Sequence, residues 1–139
     1  MSKYIFIVAL FIMGFSSCYK AYDPVDDLVD IVGDVAQIAT FTGPAKVTHG
    51  ATFDLTLKVS SAHVEMDSIR IYEKNGSGGY ILTKHIAFTP NFVEAERLHV
   101  ITIPYTAPDA PTSISLQANV VTSNGLVSNP KVISKITVE

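Results

Sequence analysis

The chain has 139 residues and carries ten Lys and Arg against thirteen Asp and Glu, a net charge of −3 with neutral histidines. That length suits one domain and excludes two ordinary ones, and a mildly acidic chain without a basic stripe lacks the electrostatic footprint of a DNA or RNA binder. Cys18 is the single cysteine, which excludes an intramolecular disulfide, so the fold must rest on its apolar core.

Residues 1–17 read as a targeting segment. Lys3 supplies a positive start, residues 4–15 (YIFIVALFIMGF) form an unbroken apolar run, and Ser16 and Ser17 are the small residues of a cleavage point. The run falls short of the roughly 20 apolar residues that span a bilayer, which favours a signal sequence over a permanent span. Without residues 1–17, nine basic side chains face thirteen acidic ones, a charge of −4. Such a chain is not drawn to an anionic lipid surface by charge. The mean hydropathy of +0.31 owes much to the signal segment.

The motif Phe15-Ser16-Ser17-Cys18 resembles the bacterial lipobox. The resemblance implies a diacylglycerol on the Cys18 thiol, cleavage before that cysteine, and a membrane partner held through lipid. Several acyl chains on one residue anchor a protein far more firmly than one. The alternative is an ordinary secretory signal with an incidental cysteine. Tyr19 stands where aspartate marks inner-membrane retention, so the resemblance leans towards the outer membrane. Residues 18–34 would then be the lipidated cysteine and an acidic tether (YKAYDPVDDLVDIVGD). An acidic stretch here is compatible with a surface-export signal or with a plain solvated linker. Asp23 as N-cap, Pro24 at the first helical position and Gly33 as a stop are compatible with a short helix.

From residue 35 the period of apolar residues becomes two, with turn signals about every ten residues, the rhythm of an antiparallel sandwich. The first strand is predicted over residues 35–42, stopped by Gly43-Pro44. Residues 52–60 (TFDLTLKVS) alternate most cleanly, with Phe53, Leu55, Leu57 and Val59 on one face and Asp54, Thr56 and Lys58 on the other. Residues 68–74 place Ile69 and Ile71 inward. A glycine-rich hairpin loop over residues 75–79 follows, then a returning strand over 80–88 broken by Pro90-Asn91. Residues 98–105 form the next strand, in which Pro104 signals an edge or a strand end. Residues 113–122 put Ile114, Leu116, Ala118 and Val120 on the core face, Ser123-Asn124-Gly125 turns the chain, and residues 131–138 close the sheet. The expectation is an all-β domain over residues 35–139 with about seven strands and no long helix.

The run ITIPYTAP (residues 101–108) with SISLQANVVTSNG (residues 113–125) resembles the last three strands of bacterial immunoglobulin-like domains, with their "YTAP" turn and "NG" hairpin. The resemblance implies an immunoglobulin-like antiparallel β-sandwich. The cysteine pair and core tryptophan of antibody-type domains are absent.

Candidate chemistry is sparse. His49, His63, His85 and His99 show no HxH or HxxxH spacing, so no metal site is expected. The aspartates of residues 23–34 lack the alternating order of a calcium loop and read as a solvated tether. There is no GxSxG elbow or HExxH, and neither an enzyme nor a cofactor is expected. The aromatics Tyr72, Tyr80, Phe88, Phe92 and Tyr105 fall near predicted strand ends or loops. Tyr72 and Tyr80, beside the glycine-rich loop, are the candidate ligand platform, with core packing as the alternative for both. By architecture, small lipid-anchored sandwiches resemble accessory subunits of surface glycan-capture and nutrient-uptake assemblies. The expected function is therefore a cell-envelope binding or scaffolding module with glycans or envelope proteins as partners. The alternative is a structural or adhesin-type component acting through protein contacts.

Overall fold

The computed structural model describes residues 35–139; the predicted signal segment, Cys18 and the predicted acidic tether lie outside the described residues. Nine strands and no helix make up the described part: β1 (Gln37–Thr42), β2 (Lys46–Val47), β3 (Thr52–Ser60), β4 (Met66–Asn75), β5 (Ile81–Ala87), β6 (Phe92–Val93), β7 (Leu98–Thr106), β8 (Thr112–Thr122) and β9 (Lys131–Val138). They form two sheets, in the orders β1-β3-β7-β6 and β2-β9-β8-β4-β5. Every pairing is antiparallel except β2 with β9. The seven longer strands are those the alternation predicts, with ends displaced by a residue or two. β2 and β6 are additional, each too short to show any period.

Alternation explains why these segments pair as they do. Leu55, Leu57 and Val59 of β3 and Ile103 of β7 turn inward from one sheet; Ile69, Ile71, Leu116 and Val120 turn inward from the other. All eight are fully buried and belong to a single apolar cluster, an arrangement compatible with a β-sandwich. In β1, Ile38 and Phe41 are three residues apart yet both buried. A register shift between Ile38 and Thr40 against β3 absorbs the odd residue, as a bulge does.

Gly43-Pro44 ends β1 as predicted and also carries the chain from the first sheet to the second, where β2 runs parallel to β9. A Cβ on Gly43 would stand 2.7 Å from Leu55 Cδ2, so the crossing passes directly over the core. On the other flank, among the described residues, the sheets stay open. β6 pairs only with Leu98 and His99 of β7, which leaves the outer side of Pro104 free, in accord with the edge expected there. The Lys84 ammonium of β5 donates to the Pro104 carbonyl across this gap. An inward-reaching lysine of this kind blunts an exposed edge.

Candidate functional site

β4 sets the geometry of the outward face of the five-stranded sheet. Because Ile69 and Ile71 point into the core, Arg70, Tyr72 and Lys74 point out. Tyr72 is opposite Gln117 of β8 on one side and Leu82 of β5 on the other, and Gln117 is opposite Val132 of β9. A row Val132–Gln117–Tyr72–Leu82 therefore crosses four strands. Its apolar ends are accessible, Leu82 at 47% and Val132 at 46%, and Tyr72 is half-buried between them. One row over, Arg70 lies opposite Asn119 and His85.

The amides of this face are ordered. Asn119 is buried, donates through Nδ2 to the Ser128 carbonyl at 2.9 Å and accepts from Gln117 Nε2 at 3.1 Å. Ser128 Oγ in turn accepts from the Val120 N–H at 2.9 Å. The result is a ring flanked by apolar ends and a fixed amide, which suits stacking of a flat partner and hydrogen bonding at its margin. Tyr80 is placed differently: it stands between the glycine-rich loop and β5, 37% exposed, and no ring contact joins it to Tyr72 among the described residues. Gly76 in that loop has φ +60°, the left-handed backbone expected of its turn.

The other sequence candidates resolve into separate places. Tyr105 is not at a surface but buried in the core, and its hydroxyl reaches Glu73. Phe88 packs against the core, whereas Phe92 is 53% exposed. His49, His63 and His85 are exposed, and no group of three or more His, Cys, Asp and Glu gathers to hold a metal among the described residues. One spacing falls outside those candidates: Ser128 and Lys131 stand S-x-x-K apart, as in acylating serine enzymes, but the Ser128 hydroxyl is buried and engaged with the Val120 N–H and the Asn129 carbonyl.

His99 carries no metal-ligand spacing, yet it borders a cleft of about 490 Å³ with Ser61, His63, Glu65, Met66 and Phe88 among its walls. Its ring meets Phe88 edge-on at 5.3 Å and Phe92 at 5.4 Å, and its Nδ1 is buried without a hydrogen-bond partner among the described residues. A buried nitrogen left dry costs about 1–3 kcal/mol, so this atom is suited to a bound water or a ligand group. The cleft lies at the end where β1 begins, since Gln37 pairs with Ser60 and His99 with Val59. Only a fold that joins residues 61–66, 88 and 99 reveals it.

No family model matches the chain, and no curated protein matches it either.

Proposed function

We propose that this protein is a lipid-anchored binding module of the bacterial cell envelope, built on an immunoglobulin-like sandwich and acting without chemistry of its own. The fold reading draws support from the strand order, in which β1 and β2 split between the sheets and β2 runs parallel to β9. The anchor reading draws on the lipobox-like FSSC at Cys18, and the outer-membrane location on Tyr19.

The observation that carries the binding reading is the Val132–Gln117–Tyr72–Leu82 row, an aromatic ring framed by accessible apolar ends on a sheet face. It fits an accessory subunit of a surface glycan or nutrient-uptake assembly. A glycan array probed with the full chain tests this, followed by titration of any hit against Tyr72→Ala and Tyr80→Ala. The reading predicts binding that weakens on loss of a ring, with no product released. Release of hydrolysis products would overturn the non-enzymatic part.

A second reading, a structural envelope component acting through protein contacts, is favoured by one feature. β5, unpaired on its outer side among the described residues, exposes Ile81 (70%) and Leu82 (47%) next to Tyr80, an apolar start for strand addition by a partner. A blank array together with a protein recovered by crosslinking at position 81 would favour it.

A further inference from the structure

The described domain carries eight basic and eight acidic side chains, so it is neutral as a whole. The outward face of the five-stranded sheet is not. Arg70 and Lys74 of β4 project from it, and Lys135 of β9 shares the alternation phase of the outward Thr137. None of the three has an ion-pair partner among the described residues, where the two pairs are Lys46–Glu139 and Lys58–Glu96. The outward positions of β8 between them are serine, glutamine and asparagine. Among the described residues, acids occur only at the margins of this face. Asp67 borders a hollow beside His85, and Glu139 is held by Lys46 at 2.5 Å.

We infer that this face binds an acidic polysaccharide, with Tyr72 stacking on a sugar ring and Arg70, Lys74 and Lys135 meeting carboxylates along the chain. The inference rests on the binding-module reading above and names its ligand class. Two observations select a polymer. Along β4, Arg70 and Lys74 stand about 13 Å apart, with Tyr72 midway at about 7 Å from each, and β9 lies about 10 Å to the side. One small anion cannot reach these cations together, whereas several linked acidic sugars can. The neutral groups between them are hydroxyls and amides, which match sugar hydroxyls. The guanidinium of Arg70 adds bidentate recognition of a carboxylate.

The experiment uses the full chain purified in detergent. Binding is titrated against polygalacturonate, against uncharged dextran, and against vesicles of phosphatidylcholine with phosphatidylglycerol. The proposal expects binding to polygalacturonate and little to dextran. Tyr72→Ala should weaken it about fivefold, by the usual worth of an aromatic contact. Arg70→Gln and Lys74→Gln should weaken it about threefold each, by the usual worth of exposed charge pairs. Moving from about 0.01 M salt to about 1 M should abolish most of it, because the screening length falls from about 30 Å to about 3 Å. Tyr72→Phe, which keeps the ring, should bind like wild type, and equal melting temperatures of the variants show that they fold.

Binding that ignores Tyr72 and Arg70 in folded variants would overturn the proposal. So would association with the phosphatidylglycerol vesicles that Arg70→Gln and Lys74→Gln weaken, over and above insertion of the Cys18 anchor, with no binding to polygalacturonate, which would assign the cations to a lipid surface. Tyr72-dependent binding to dextran alone would overturn the acidic specificity and leave the binding-module reading standing. Absence of binding to any glycan would remove both.

Discussion

The hydroxyl of Tyr105 on β7 donates to Glu73 Oε2 on β4 at 2.5 Å, joining the two sheets across their open flank. The same oxygen lies 3.1 Å from Thr83 Oγ1, and the Tyr105 ring packs against Phe53 at 5.7 Å. With Lys84 on the Pro104 carbonyl, this contact closes a side that no strand of the described residues covers. Tyr105→Phe keeps the ring and removes the bond. Chemical denaturation should show a loss of about 1–2 kcal/mol, as for a hydrogen bond to a charged group near the surface. An unchanged midpoint would mean that the sheets are held by the apolar core alone.

The same phenol gives stability a pH dependence at the alkaline end. Burial, and then the bond to Glu73, push its ionisation well above the ordinary value. In the unfolded chain a tyrosine loses its proton near pH 10. Above that pH the native state binds more protons than the unfolded state, so stability falls as pH rises. Melting temperature should thus decline from about pH 10 upwards in wild type and decline less steeply in Tyr105→Phe. Parallel profiles would show that Tyr105 is not the titrating group.

Adjacent residues on β3 test the assignment of faces. Leu57 is fully buried, and truncation to alanine should cost about 2–5 kcal/mol. Lys58 faces out and pairs with Glu96 at 2.5 Å with both side chains about one-third exposed, so Lys58→Ala should cost no more than about 1 kcal/mol. Thermal melts of the two variants measure the difference, and similar losses would mean that the register is wrong.

Gly43→Ala should destabilise by about 1–3 kcal/mol, because the added methyl meets Leu55 Cδ2 at 2.7 Å and Leu55 is itself fully buried. Gly79→Ala serves as the control, since nothing lies within 4 Å of its Cβ position. It should be neutral within about 0.5 kcal/mol. Equal urea midpoints for the two variants would remove the steric reason for glycine at the sheet crossing.

Much of the fold follows from period-two alternation. Residues 52–60 begin and end where the pattern predicts, because the strand shows one wet face and one dry face; residues 131–138 do so although Ile133 and Ile136, three apart, both turn to the core across a register shift against β8. The bulge in β1 escaped the pattern, since Ile38 and Phe41 break its period, and only pairing with β3 reveals how both reach the core. β2 and β6 have two residues each, too few for a period. Tyr105, near a predicted strand end, is an alternating inward residue, and its partner Glu73 lies 32 residues away. The Tyr72 face was visible as a residue type but not as a row, because Gln117 and Val132 join it only through cross-strand register. His99 carries no spacing signal, and three separate segments of the chain build its cleft.

Anchoring is the claim on which display at the membrane depends, and Cys18 carries it alone as the single cysteine. Cells expressing the full chain or Cys18→Ala can be fed a clickable palmitate analogue, and the protein followed by gel fluorescence and membrane fractionation. The account predicts label and membrane association for wild type, and an unlabelled, uncleaved precursor for Cys18→Ala. Equal labelling and equal fractionation of the two proteins would contradict it.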